Sequence, residues 1–273
     1  MLVELLEFLD SEMNRPEMYG WFHNLWLFIT AAVTVILCKF CRNADPKRVC
    51  RIILSVALIV IVLEIYKQIN YTFIVDEKGK IQKDYQWYAF PFQFCSTPMY
   101  IGLLAGIFRK GKLHKAFCAY LATYAVFAGL AVMAYPADVF IKTIGINIQT
   151  MVCHGSMIVV GVYLMYVGHV KVEHKTILRA LPVFAGALTV AVVLNEIMVA
   201  SGILKGETFN MFFVSPHFAP SLPVYSLVQQ VVPYPFCLVL YVLGFTVAAY
   251  LILLLAIAVK SICQRKSQTL VAL

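Results

Sequence analysis

Uninterrupted apolar runs dominate the chain, rather than strict alternation or a narrow amphipathic stripe. A helix needs about 20 such residues to cross ~30 Å of hydrocarbon at ~1.5 Å per residue. Seven runs meet that length and predict helices near 21–40, 50–68, 88–108, 115–135, 149–168, 178–200 and 234–259. The second has to carry Glu64 inside it, and the fourth and fifth have the softest ends. Ahead of them, Leu2, Leu5, Leu6 and Leu9 recur at helical spacing, which predicts a short amphipathic helix within 1–14 on the membrane surface. Two linkers, 136–149 and 208–235, are too apolar for free loops. The second is rich in aromatics and prolines and is expected to fold back over the mouth of the bundle. No internal repeat is visible. The pattern predicts an all-α fold: a polytopic membrane protein, a seven-helix transmembrane bundle with residues 1–273 as a single transmembrane domain.

Composition agrees, with 62% hydrophobic and only 13% charged residues, where a soluble domain carries roughly 25% charged. A net charge of +8 invites a nucleic-acid reading, but no polar segment is long enough to form a basic binding face. The expected partners are membrane lipids and no nucleic acid, and nothing in the sequence fixes an oligomeric state. The charge has a different use. Fifteen of the 22 Lys and Arg fall in the segments 39–51, 109–115, 171–179 and 260–266, and the other seven lie in the alternate loops or the N-terminal segment. Cytoplasmic loops hold such an excess, so the N-terminus is expected outside and the C-terminus in the cytoplasm of an integral membrane protein; the expected location, as a separate expectation, is a bacterial cell membrane. Eight cysteines show no disulfide spacing.

With that orientation, depth follows from the helical rise. Cys95 lies about 10 Å below the outer face and His154 about 8 Å. Glu64, Gln93, Gln149, Asn195 and Glu196 fall near the same level. Buried polar groups in lipid often do no more than bond helix to helix, at ~0.6 kcal/mol each. Seven at one depth from four helices point instead to a polar cavity in the outer third of the bundle. The stretch "QWYAFPFQFCSTPMY" (86–100) is the centre of this reading. Pro91 suits a first helical turn, and Pro98 is expected to kink the helix beside Cys95 by freeing the Phe94 carbonyl. An isolated cysteine in lipid is ordinarily a small buried hydrophobe. One with a base at matching depth is a nucleophile candidate. Cys38 and Cys41 form a C-x-x-C, but two thiols do not complete a zinc site. His23, His114, His169, His174 and His217 fall in loops or at interfaces and read as solvated. No metal site and no cofactor are expected.

"FPFQFC", "NIQTMVCHGSMIVVGVYLM", "GETFNMFFVSP" and "PYPFCLVLYVL" together resemble the YwaF-type family of integral membrane proteins, over most of the chain from about residue 50. The matching features are a Pro-x-x-x-Cys in the third helix, an early histidine in another helix, and a late Asn-centred loop before a Pro-aromatic helix start. A eukaryotic branch that looks similar is described as phospholipid acyltransferases with a membrane-embedded cysteine and histidine. The resemblance implies Cys95 as nucleophile and His154 as base, with Asn210 in the late loop. Met211 follows that Asn where the family usually has Tyr. The resulting expectation is a lipid acyltransferase or lipid-ester hydrolase, with Glu64, Gln93, Asn195, Glu196 and Asn210 around the substrate, and Asn195 a candidate oxyanion donor. The alternative is a non-enzymatic binding or transport protein that uses the same outward-facing cavity.

Overall fold

The computed structural model describes residues 1–76, 78–219 and 222–271. Its helices are α1 (Leu2–Leu9), α2 (Trp21–Phe40), α3 (Pro46–Asn70), α4 (Thr97–Ile107), α5 (Gly111–Ala122), α6 (Tyr124–Ala134), α7 (Ile144–Tyr166), α8 (Lys175–Ala200), α9 (Pro223–Val231) and α10 (Tyr234–Val271). Among the described residues, six helices are long and apolar enough to cross a membrane: α2, α3, α5 and α6 taken together, α7, α8 and α10. The chain is an integral membrane protein of helical architecture.

Local chemistry sets the ends. α3 begins four residues before its apolar run because Asp45 caps it, accepting from the Arg48 N–H at 2.8 Å, with Pro46 in the first turn. α5 and α6 read as one run, but Thr123 (φ −125°, ψ −78°) breaks them, and its hydroxyl donates to the Ala119 carbonyl at 2.7 Å. α1 buries Leu6 and leaves Leu2, Leu5 and Phe8 exposed, as an amphipathic surface helix should. α10 exposes Val239, Leu243, Val247, Leu251 and Leu255, and α3 exposes Leu58, Ile59, Val62 and Ile65. Those faces suit lipid, since a helix satisfies its own backbone. The interior is an aromatic stack. Tyr124 lies on Phe184 with ring centroids 4.5 Å apart, and Tyr241 lies on Phe245 at 4.3 Å.

The third expected span differs most. Residues 90–96 are not helical, and the helix there is α4, 11 residues long. Pro98 therefore kinks nothing. It sits in the first turn of α4, where a missing N–H leaves no bond unmade. Side chains take over the backbone's hydrogen bonds along the irregular stretch. Gln68 Nε2 donates to the Ala89 carbonyl (2.9 Å), Tyr100 to Pro91 (2.9 Å), Thr97 to Phe94 (2.8 Å), and the Cys153 thiol to Cys95 (3.8 Å). Non-helical backbone at membrane depth is tolerated when protein satisfies it in this way.

A hairpin unforeseen in the sequence joins α3 to this stretch: β1 (Phe73–Val75) pairs antiparallel with β2 (Ile81–Lys83). Asp76 holds its tip, accepting from the backbone N–H groups of Lys80 and Lys78 at 2.9 Å, and these bonds keep its carboxyl below the usual range. At this same end Tyr66 donates to the Leu9 carbonyl (2.7 Å), Asn70 and Thr143 donate to Asp10 (3.2 and 3.0 Å), and Glu12 bridges Thr143. The 136–143 linker is thus pinned to the N-terminal segment.

α7 is the central helix, and small residues let it approach its neighbours. A Cβ on Gly161 would run into the Val126 side chain and come within 2.6 Å of the Leu121 carbonyl. Gly161→Ala is expected to destabilise the bundle by about 1–3 kcal/mol through overpacking. A thermal melt in detergent checks this against Gly186→Ala, where a Cβ meets open space.

Candidate functional site

The irregular 90–96 stretch sets the Cys95 carbonyl against the Cys153 thiol of α7. Cys95 is partly accessible. Two residues earlier, Gln93 uses both ends of its amide on the late loop. Its Nε2 donates to the Asn210 carbonyl (3.0 Å), and its Oε1 accepts from the Phe212 N–H (2.9 Å). Asn195 of α8 makes a matching clamp: its Nδ2 donates to the Met211 carbonyl (3.1 Å), and its Oδ1 accepts from the Met211 N–H (2.7 Å). Tyr241 adds a hydroxyl donated to the Phe212 carbonyl at 2.9 Å. These bonds hold Phe212 and Phe213 at φ 58° and 57°. Two consecutive bulky residues in the left-handed region are strained, at of order 1–3 kcal/mol each. The buried Phe212 ring packs against Phe92, Phe94 and Phe184. The loop does fold into the mouth of the bundle, and Gln93 and Asn195 are its fasteners.

Asn195 therefore keeps only its second Nδ2–H free of Met211. Asn210 is less engaged. Its Oδ1 accepts from the Ser215 N–H at 2.8 Å, but its buried Nδ2 has no partner among the described residues. Asn195→Leu is expected to cost about 1–3 kcal/mol, because it leaves the buried Met211 N–H and C=O without their side-chain partner. Thermal unfolding measures that loss, and faster hydrogen exchange confined to 210–215 locates it.

Glu64 anchors the polar centre. It is buried, and its carboxylate meets the Lys67 ammonium (2.8 Å), Gln68 Nε2 (2.8 Å) and Gln149 Nε2 of α7 (3.1 Å). Lys67 read from sequence as an outer-loop charge, but it turns inward, its side chain only 16% exposed. Its i, i+3 spacing from Glu64 was the available signal. A groove of about 510 Å³ runs along α3 and α4, lined by Glu64, Gln68 and Tyr100 among apolar residues such as Ile61, Met99 and Leu103. That size is in the range of ligand sites.

His154 is buried on α7. Its Nδ1 lies 2.7 Å from the Thr150 carbonyl. A carbonyl only accepts, so Nδ1 carries the proton, and in the neutral ring Nε2 keeps its lone pair. That Nε2 has no partner among the described residues. The preceding residue, Cys153, is the one whose thiol meets the Cys95 carbonyl. No hydrogen bond joins the Cys95 thiol to the His154 ring among the described residues, and such contacts often tighten only with substrate. Glu196 stands apart. It is exposed and pairs with His217 at 3.0 Å, which does not bring it to Cys95.

Two histidines read as solvated are buried. His23 bonds the Met133 carbonyl at 2.9 Å. His114, also buried, faces His169, with their Nε2 atoms 2.8 Å apart. The Cys50 thiol joins that pair, the three ligand atoms lying within 4.8 Å of one another. Burial and the facing His114 hold the His169 imidazole below the usual histidine range. Cys50 and His114 lie near the starts of their helices, and their meeting with a loop residue left no local pattern to read.

The family model described as the TMEM164 family matches residues 18–257, so the chain belongs to that family. No curated protein and no solved structure matches it.

Proposed function

We propose that this TMEM164-family protein is a membrane-embedded acyl-transfer enzyme acting on lipid esters, with Cys95 as nucleophile, His154 as general base and Asn210 as oxyanion donor. The observation that carries the reading is the buried Nε2 of His154, which has no partner among the described residues and whose lone pair is fixed by the Thr150 carbonyl on the other nitrogen. Leaving such an atom unpaired costs about 1–3 kcal/mol, and a reacting partner that fills the place during turnover explains its retention. The unpartnered Asn210 Nδ2 on the loop fastened by Gln93 supports the same reading.

The chemistry balances with these groups alone. His154 Nε2 takes the Cys95 thiol proton as the sulfur attacks the ester carbonyl carbon, and the carbonyl electron pair moves onto oxygen, facing Asn210 Nδ2. Collapse breaks the ester C–O bond. The departing alkoxide takes the proton from His154, and a thioester remains on Cys95. An acceptor hydroxyl, from a lysolipid or water, then gives its proton to Nε2 and attacks the thioester, and the Cys95 thiolate leaves and recovers the proton. The α3–α4 groove holds the acyl chain, and the Glu64–Lys67–Gln149 group fixes the polar end.

The same proposal includes a seven-crossing topology, in which residues 87–107 form the third crossing as irregular chain followed by α4, with the N-terminus outside. Support comes from the loop charges and from the meeting of the N-terminal segment, the hairpin and the 136–143 linker at one end. The functional test is capture by a thiol-reactive lipid probe. Labelling of wild-type protein at Cys95 and its loss in His154→Gln support the proposal, and labelling that ignores both residues defeats it.

A further inference from the structure

The Cys50–His114–His169 group lies at the far end of α4 from Cys95, and the proposed chemistry does not use it. Three distant parts of the chain supply it: the start of α3, the start of α5 and the 167–174 turn. A fourth donor is close, since the buried Cys118, one turn along α5, has its sulfur 3.5 Å from His114 Nε2.

We propose that this group is a structural zinc site, with Cys50, His114 and His169 as ligands and Cys118, whose sulfur lies outside their mutual 4.8 Å, moving in to complete a Cys₂His₂ set. The orientation of His114 is the strongest argument. Its Nδ1 lies 3.0 Å from the Ala105 carbonyl. That carbonyl only accepts, so Nδ1 is protonated and Nε2 presents a lone pair toward His169. Metal-bound histidines are held in this manner by a backbone carbonyl on the other nitrogen. The spacing also fits. Two nitrogens on a tetrahedral zinc at ~2.0–2.1 Å stand about 3.3 Å apart, so the 2.8 Å pair needs to part by only a few tenths of an ångström. The rings are nearly perpendicular, at 82°, so both nitrogens reach one point without stacking. Thiolate and imidazole donors together select zinc over magnesium or calcium. Bound there, zinc ties α3 and α5 to the 167–174 turn, and to α4 through Ala105.

The test uses full-length protein in detergent, stripped with a chelator and reloaded with zinc alone. Elemental analysis is expected to find about one zinc per chain, and cobalt(II) is expected to give the thiolate charge-transfer band of a tetrahedral site. Cys50→Ser and His169→Gln are each expected to weaken zinc affinity at least about tenfold in competition with a chromophoric chelator. The Cys38→Ser/Cys41→Ser double variant is expected to bind as the wild type does. Wild-type protein that takes up no zinc, or zinc that follows Cys38 and Cys41, overturns the proposal. If the ligand variants do not fold, the wild-type cobalt spectrum decides, and absence of the thiolate band overturns it. None of these readouts depends on acyl transfer.

Discussion

Cys95→Ala is expected to lower lipid acyl transfer by purified protein by about 10⁴-fold or more, the scale of loss when a nucleophile of a catalytic pair is removed. The size follows from its role, since no other group in the proposed mechanism forms the covalent thioester. Cys153, the nearest thiol, donates to the Cys95 carbonyl and is buried, so it does not substitute. His154→Gln is expected to cause a loss of similar order. The double variant should be no worse than either single one, because residues acting as one unit lose their effect together. Fold is expected to persist in Cys95→Ala, because the carbonyl that Cys153 meets is backbone and survives the change. A steady-state assay with an ester-linked lipid donor and a lysolipid acceptor, run beside a thermal melt, separates chemistry from folding. Additive losses in the double variant would show that the two residues do not share a step. Full activity in Cys95→Ala would return the polar cavity to the binding or transport reading, with His154 and Glu64 as its working groups.

The largest stability effect is expected at Glu64. Glu64→Ala leaves the Lys67 ammonium and the Gln149 amide without their shared acceptor, inside the bundle. Breaking a buried pair in this manner costs about 3–5 kcal/mol. Lys67 keeps a little access to solvent, which puts the expectation at the lower end, about 3 kcal/mol. Glu64→Leu combined with Lys67→Met is expected to recover most of the loss, since it removes both charges rather than stranding one. Thermal unfolding of the wild type, Glu64→Leu, Lys67→Met and the combined variant completes a double-mutant cycle. If Glu64→Ala melts like the wild type, the carboxylate is not the centre of the polar group.

The sequence carried the long helices well, because a membrane-length apolar run has few other outcomes. α2 matches the expected 21–40. α3 differs only through a cap that lies outside the apolar run. The 88–108 segment was legible as apolar but not as irregular. Its unwinding depends on Gln68, Tyr100, Thr97 and Cys153 reaching the freed carbonyls, and those partners come from across the fold or sit out of periodic register. Depth counting grouped Glu64, Gln149 and His154 correctly as buried polar residues of the bundle. It gave no rotation about the helix axis, so it could not tell that Glu196 turns outward while its neighbour Asn195 turns in to hold Met211. The same limit applies to Gln93, which reads as a cavity residue by depth but is consumed by the 210–212 backbone. The pairing of His114 with His169 was invisible, because a residue near a helix start and one in a distant loop share no periodic signal.

The most direct measurement is detection of the acyl-enzyme itself. Purified protein is mixed with a lipid ester carrying a mass-tagged acyl chain, quenched in acid, digested and mapped by mass spectrometry. The account predicts a hydroxylamine-sensitive acyl thioester on the peptide containing Cys95, absent in Cys95→Ala and strongly reduced in His154→Gln. A thioester on Cys153 or Cys118 instead, or acyl transfer that continues in Cys95→Ala with no thioester at all, would contradict it.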